Sequence, residues 1–312
     1  MSNWCSNWCS KRLGILVWMM VAWGVAGAVL AQDENAGEAP PPERQRVMIS
    51  SGLGSAVIAA QRPDDAVWLD LEGDDTALGL FEPEQRLPVE GALLMLADEG
   101  HSAASELLAG LGKRLSSRGW AVMTLGLEAP PYELQQAWNE ANADPAEASA
   151  VQDAGEDAES VMIDVMDEGE REDLESDYWK RVQAMLAAAS ANLRKRGYDR
   201  VVLVSVGAAA IHLARYAREG NAGEQVWVTP RFYPRDEPGL IELLAGADAL
   251  ALLHLYSAHE DAARTTARAW AVQLKKAGMS DYRAQPVAVP SPAGARDADA
   301  LAGRIRSWLT SE

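Results

Sequence analysis

A strand, a tight turn and a helix near residue 207 form the pattern with the clearest chemical meaning in this chain. In enzymes that use a serine nucleophile, Gly-x-Ser-x-Gly places the serine at the apex of such a turn, where its hydroxyl is exposed. Aligned on the strand, the five positions here are Ser205, Val206, Gly207, Ala208 and Ala209. Glycine has no side chain that can attack a substrate. The sequence therefore predicts the backbone of a nucleophile turn, with a degenerate apex at Gly207.

A shift of the alignment by two residues gives an alternative. Ser205 then becomes the apex, in the pattern Leu203-x-Ser205-x-Gly207. This alignment shortens the preceding strand and loses the first small residue of the turn. An active Ser205 would also need a histidine within hydrogen-bond reach to accept its proton.

The acid and the base of a catalytic triad are the next residues to seek. In chain order they follow the serine as Asp or Glu and then His. Glu260 and Asp261 follow a predicted strand where the acid is expected, with His259 beside them. Asp261 alternatively caps the next helix, because its carboxylate can accept hydrogen bonds from the unpaired backbone N–H groups of the first turn. The loop at 290–296, where the histidine is expected, contains none.

A loop at residues 98–102 is the candidate for binding a negatively charged oxygen. Backbone N–H groups of Gly100, His101 and Ala208 are predicted to form an anion pocket, as in an oxyanion site. The alternative is an ordinary loop with a surface histidine. Arg231 and Arg235 are further candidates for contacting an anionic partner, with a solvated loop as their alternative.

The elements that must position these residues alternate between strands and helices. Residues 66–71 and 76–81 predict an antiparallel hairpin. Residues 91–97, 103–116 and 120–125 then predict a βαβ unit, and the alternation continues to residue 309. The predicted fold is α/β, a doubly wound and mostly parallel sheet with an N-terminal antiparallel hairpin, over residues 64–312.

These stretches resemble the α/β-hydrolase superfamily and, more narrowly, the exported bacterial family of unknown function DUF3530. The resemblance rests on five segments: the Trp68-Leu69 hairpin and residues 94–101, 202–210, 253–256 and 304–309. It implies a hydrolase fold with a cleft at the strand ends. It does not supply the missing serine and histidine of the triad.

The charge of the chain is strongly acidic and uneven. The net charge is −18, and residues 128–177 carry 17 acidic residues against one basic residue, Arg171. Such a chain repels phosphate backbones, so nucleic acid is not an expected partner. The stretch 128–177 is predicted to be a disordered insertion.

Cysteine and histidine usage limits metal chemistry. The two cysteines, Cys5 and Cys9, precede the apolar N-terminal run, and the four histidines lie on separate elements: His101, His212, His254 and His259. No spacing typical of a metal site is present. Phosphate-binding and dinucleotide-binding glycine motifs are absent from the sequence. We therefore expect no metal and no cofactor.

The N-terminus predicts export. Lys11 and Arg12 precede an apolar run from Leu13 to Val29, and Val29-Leu30-Ala31 resembles a cleavage site before Gln32. Residues 1–31 are thus a predicted signal peptide, and the protein is expected in the periplasm or outside the cell. The alternative is an uncleaved membrane anchor. Residues 32–63 follow as a predicted linker, partly disordered.

Two hypotheses for function follow. The first is a non-catalytic protein that binds a small molecule or an envelope protein. The second is an esterase-like serine hydrolase that uses Ser205 or a non-standard triad.

Overall fold

An eight-stranded sheet is the centre of the computed structural model, which describes residues 52–140, 168–221, 223–245 and 249–311. The strand order is β1-β2-β4-β3-β5-β6-β7-β8. β1 pairs with β2, and β2 with β4, antiparallel; the other pairs are parallel. This confirms the predicted fold class. The strands are β1 Ala66–Asp70, β2 Thr76–Glu82, β3 Gly91–Glu99, β4 Trp120–Leu127, β5 Val201–Val206, β6 Glu224–Val228, β7 Ala251–Ser257 and β8 Tyr282–Val287.

Helices cover both faces of the sheet, and short 3₁₀ turns precede three of them. Among the described residues, none of the helices has the length and apolarity needed to cross a membrane. The helices are α1 Ser55–Gln61, α2 Glu106–Ser116, α3 Tyr132–Glu140, α4 Glu168–Lys195, α5 Ala210–Arg218, α6 Glu237–Ala245, α7 Asp261–Lys276 and α8 Ala298–Leu309.

The core forms two layers, one on each face of the sheet. Strand β3 contributes to both, because successive side chains point to opposite faces. Leu94 and Leu96 pack in the layer that contains residues of α3, α4, α5 and α6. Leu93 and Met95 pack in the layer formed with α2 and α8. A continuous apolar strand buried on both faces is typical of a parallel sheet with helices on each side.

Two helices lie where the sequence predicted a disordered insertion. Helix α3 and the first turns of α4 fall within residues 128–177. Three aromatic residues explain the difference, because Trp138, Tyr178 and Trp179 are buried and contact one another. Helix α1 falls within the predicted linker 32–63, which was expected to be disordered only in part. The predicted signal peptide and the middle of the insertion lie outside the described residues.

Candidate functional site

The strand-to-helix turn at Gly207 has the sharp geometry that the sequence predicted. β5 ends at Val206, Gly207 has φ +57°, and a 3₁₀ turn through Ala209 leads into α5. A positive φ of this size disfavours residues with a Cβ atom, so glycine relieves backbone strain at this position. The turn lies at the carboxyl end of β5, beside β3.

The side chain of Asp98, at the end of β3, fills the space above this turn. Its Oδ1 accepts hydrogen bonds from the N–H groups of Ala208 (2.8 Å) and Glu99 (3.0 Å). Its Oδ2 accepts a hydrogen bond from Arg231 Nη2 at 2.6 Å. A Cβ atom added to Gly207 would collide with this carboxylate. Asp98 therefore occupies the volume that a side chain at the apex would take.

The predicted anion pocket differs from the observed donor pair. The Gly100 N–H donates to the Leu127 carbonyl (2.8 Å), and the His101 N–H donates to the Asp98 carbonyl (3.0 Å). Both groups are thus used by the backbone, and the His101 side chain is exposed. Of the three predicted donors, Ala208 alone faces the carboxylate. Its companion is Glu99 N–H, which sequence reasoning missed together with Asp98.

Ser205 lies inside β5, away from the apex. It pairs with Leu96 of β3 and Trp227 of β6 and is fully buried. Its Oγ makes no hydrogen bond in the described part of the chain. His212, on α5, is also buried, and its Nε2 lies 3.4 Å from the Tyr178 hydroxyl. The structure does not bring Ser205 and a histidine into hydrogen-bond contact.

The predicted acid region follows β7. Asp261 begins α7 with a 93% exposed side chain and forms an ion pair with Arg264 at 3.0 Å. No side-chain cap bond is present at the N-terminus of α7, so Asp261 does not cap this helix. His259 is exposed, and its N–H donates to Ser257 Oγ at 3.3 Å. Glu260, by contrast, lines a cleft at the carboxyl ends of the strands.

A cleft of about 510 Å³ opens beside the turn at Gly207, at the carboxyl ends of the parallel strands. In open α/β sheets, ligands bind outside these strand ends. Its wall combines charged groups from loops and helix starts with aromatic rings. The residues that line it include Glu99, Ala208, Thr229, Arg231, Phe232, Tyr233, Glu237, His254, Tyr256, Glu260 and Trp270.

Glu99 is the carboxylate of the cleft wall nearest to Asp98 in the chain. Burial raises its pKa to about 7, with a further rise from Asp98, against lowering by the Tyr233 hydrogen bond and by Arg231. The Tyr233 hydroxyl donates to Glu99 Oε2 at 2.9 Å. Glu99 is therefore poised to exchange a proton near neutral pH, whereas carboxylates normally titrate well below it.

His254 and Thr229 are buried polar residues in the same wall. His254 is 4% exposed, its Nδ1 lies 2.7 Å from the Tyr282 hydroxyl, and burial lowers its pKa to about 4. The imidazole is thus neutral at physiological pH. Thr229 has φ +42°, and its Oγ1 makes no hydrogen bond within the described ranges.

Comparisons with known proteins place this architecture in a family. The profile of the family described as "Protein of unknown function (DUF3530)" matches residues 14–311. The chain belongs to this family. Comparison with curated proteins finds no match.

Solved structures similar to this DUF3530 member include hydrolases of the same fold. Dienelactone hydrolase from Anabaena variabilis is 12% identical with a TM-score of 0.52, over 79% of this chain and 96% of that one. Est1E from Butyrivibrio proteoclasticus is 7% identical with a TM-score of 0.51, over 79% and 98%. An esterase from Pyrococcus furiosus is 10% identical with a TM-score of 0.50, over 79% and 90%. At these identities the likeness establishes the α/β-hydrolase fold alone.

A cluster of aromatic and charged residues fastens α3, α4 and the loop after β6 together. Glu175 of α4 accepts hydrogen bonds from Arg235 (2.6 and 2.8 Å), from Trp179 Nε1 (3.0 Å) and from Trp138 Nε1 (3.4 Å). Burial raises the pKa of Glu175, but the Arg235 and Trp179 hydrogen bonds outweigh it and leave the pKa below its usual value. Arg215 lies 3.5 Å from the centre of the Trp179 ring. We call these residues the clasp.

The two arginines predicted to contact an anionic partner are both paired internally. Arg231 binds Asp98, and Arg235 binds Glu175. Across the described ranges, no group of three or more histidine, cysteine, aspartate or glutamate side chains has the arrangement of a metal site. The site therefore offers carboxylates, aromatic rings and a neutral imidazole to a ligand.

Proposed function

We propose that this protein is an exported α/β-hydrolase-fold protein with a degenerate triad, which binds a small molecule in its cleft without hydrolysing it. The observation that carries the proposal is the position of the Asp98 carboxylate. This carboxylate accepts hydrogen bonds from the N–H groups of Glu99 and Ala208, and it fills the space above Gly207.

Ester hydrolysis develops a negative charge on the carbonyl oxygen of the substrate. In this fold, the oxyanion hole combines the N–H after the nucleophile with an N–H from the loop after β3. Those donors stabilise the negative oxygen of the tetrahedral intermediate. Here both N–H groups already donate to the Asp98 carboxylate, so neither is available to a second negative oxygen. Cleavage by this route would need Asp98 to move and a nucleophile to be supplied.

The alternative of a Ser205 hydrolase has less support. Activation of a serine requires a base within hydrogen-bond reach. Ser205 Oγ is buried without a hydrogen-bond partner among the described residues, and Gly207, not Ser205, has the positive φ of the turn.

Labelling with a fluorophosphonate probe tests this proposal. The purified protein and its Ser205→Ala variant are treated beside an active serine esterase, and folding is verified by circular dichroism. We expect no label on either form. Label that disappears in Ser205→Ala would establish the alternative hydrolase, and label that persists in the variant would reveal another activated nucleophile. Either result contradicts a non-hydrolytic role.

Export is a separate part of the proposal, supported by the pattern of residues 11–31. We expect mass spectrometry of protein from fractionated cells to find an N-terminus at Gln32 in the periplasmic or secreted fraction. Recovery of residues 1–31 in the membrane fraction would instead support the uncleaved anchor.

A further inference from the structure

We propose that the ligand of the cleft is an organic cation, an amine or quaternary ammonium group carried on an apolar body. This inference rests on the proposed function, because it assigns a ligand class to the same cleft.

The charged groups of the cleft wall favour a cation. Three carboxylates, Glu99, Glu237 and Glu260, line it against one guanidinium, Arg231. Arg231 is already paired with Asp98 at 2.6 Å. The side chains of Glu237 and Glu260 form no hydrogen bond or ion pair with any described residue. A ligand with a positive charge would supply the missing partner, most strongly at the half-buried Glu260 and less at the exposed Glu237, because oppositely charged groups attract more strongly where water is partly excluded.

The aromatic residues supply a second kind of cation contact. Phe232, Tyr233, Tyr256 and Trp270 line the same cleft. Phe232 and Trp270 pack edge to face with centroids 5.4 Å apart. A cation held near the face of an aromatic ring is attracted by the ring quadrupole, and such rings commonly surround quaternary ammonium groups. The rings also provide apolar surface for the body of the ligand.

The order of these groups along the elements separates an acidic mouth from an aromatic floor. Glu99 ends β3, Glu237 begins α6 and Glu260 immediately precedes α7, so the carboxylates lie at the carboxyl edge of the sheet. His254 lies three residues before the end of β7, and Trp270 lies nine residues into α7. The ligand is therefore expected to place its charge at the mouth, where the Tyr233 hydroxyl meets Glu99, and its apolar body deeper, towards Trp270.

Thr229 is an independent sign that the cleft receives a ligand. It is 3% exposed and lines the cleft, and its Oγ1 has no hydrogen-bond partner among the described residues. A buried polar atom without a partner is costly. A hydrogen-bonding group on the ligand body would satisfy it.

Binding of three small probes tests the charge preference. Benzyltrimethylammonium, benzyl alcohol and benzoate share a benzyl or phenyl body and carry positive, neutral and negative charge. We expect calorimetric titration of the purified protein at pH 8 to show the tightest binding for the ammonium, by about ten-fold over the alcohol. Equal or tighter binding of the alcohol or benzoate, or no binding of any probe, would overturn the inference.

A matched set of variants locates the binding. Glu237→Gln combined with Glu260→Gln removes two mouth carboxylates and is expected to weaken ammonium binding about five-fold or more. Glu242→Gln makes one such change on an exposed residue of α6 outside the cleft wall and is expected to leave affinity unchanged. Equal effects of the two changes, or no effect of either, would contradict binding at this mouth.

The outcomes separate this inference from the proposed function. Fluorophosphonate labelling together with selective ammonium binding would refute the non-hydrolytic role and retain the cation site. Absence of labelling together with preferred benzoate binding would retain the non-hydrolytic role and refute the cation site.

Discussion

At the scale of single residues, Gly207 and Asp98 depend on each other. Gly207→Ala would add a Cβ that collides with the Asp98 carboxylate, in a backbone conformation that disfavours alanine. Left-handed strain costs about 1–2 kcal/mol, and overpacking adds about 1–3 kcal/mol. We therefore expect urea denaturation to show a loss of roughly 2–5 kcal/mol in the free energy of unfolding.

Two further variants separate the collision from the strain. Gly220→Ala has the same kind of strain (φ +78°) with no atom within 4 Å of the added Cβ, and should lose only about 1–2 kcal/mol. Asp98→Ala should partly rescue Gly207→Ala, with a coupling energy of about 1 kcal/mol or more. Additive effects of the two substitutions would contradict the contact.

Sequence reasoning identified the glycine but missed its partner. The order of Ser205, Gly207 and Ala209 along one strand and turn predicted that the apex has no side chain. Asp98 is 109 residues away and meets Gly207 only because β3 and β5 pair in parallel. The sequence did contain a useful signal. Asp98 and Glu99 are two charged residues at the end of an otherwise apolar strand, and this strand ends beside the turn at Gly207. The contact itself depends on tertiary register.

Glu99 gives a residue-scale prediction for pH dependence. Its pKa in the folded protein is about 7, above its ordinary value of 4.5. The folded state then holds the proton more tightly than the unfolded chain, so this group lowers stability as pH rises from about 4.5 to 7. Glu99→Gln cannot ionise and should be more stable than the native protein at pH 8, with no such gain at pH 4.5.

Denaturation at both pH values checks this expectation. The groups that act on Glu99 are Asp98, Tyr233, Arg231 and Asp236, and the variant leaves all of them in place. Glu242→Gln, exposed on α6, should show no pH-dependent difference of this kind. A gain for Glu99→Gln that is equal at both pH values would refute the role of ionisation.

At the scale of elements, the clasp fixes α3 and the loop after β6 against α4. Glu175→Gln keeps the shape of the side chain but removes the charge that Arg235 binds through two hydrogen bonds. Hydrogen bonds to charged groups contribute about 1.5–3 kcal/mol when partly buried, so we expect a loss of about 2 kcal/mol. Hydrogen exchange should also become faster in α3 and in residues 229–236.

An exposed pair on the same helix provides the control. Asp177 and Lys180 lie 3.6 Å apart with side chains 67% and 74% exposed. Asp177→Asn should change stability by less than about 0.5 kcal/mol, because solvent screens such pairs. Similar losses in both variants would mean that the clasp adds nothing beyond a surface ion pair.

The elements of the sheet were predicted well, and those of the acidic stretch were not. Apolar runs such as 91–97 and 201–204, bounded by turn residues, indicate buried strands, because the strands of a parallel sheet covered on both faces are nearly continuously apolar. Within 128–177 the acidic residues outnumber the aromatic ones, and the charge pattern favours disorder. Trp138 and Tyr178 nevertheless pack together in one core although they are distant in the chain. No local sequence pattern predicts this contact.

At the scale of the whole molecule, the sheet brings separate chain segments to one edge. The ends of β3, β5, β6 and β7 lie side by side, so Glu99, Ala208, Arg231 and Glu260 meet around one cleft. The parallel alternation predicted this edge from the sequence. It did not predict that Arg231 pairs with Asp98 within the protein. Arg231 was expected to contact an anionic partner, and Asp98 neutralises its charge instead.

The distribution of charge over the whole chain leads to a final prediction. Residues 141–167 carry eight acidic residues and no basic one, so a neutral Gly/Ser replacement of equal length changes the net charge from −18 to −10. Charges farther from the cleft than a Debye length, about 10 Å at 0.1 M salt, act on a cation only at low ionic strength. We expect this variant to bind benzyltrimethylammonium a few-fold more weakly at about 0.01 M salt.

The same titration at about 0.5 M salt separates a field effect from a contact. Screening should make the affinities of the native protein and the variant equal there, because the described cleft wall is identical in both. A deficit that persists at high salt would mean that residues 141–167 touch the ligand directly. In that case the acidic stretch would belong to the binding surface and would act through more than its charge.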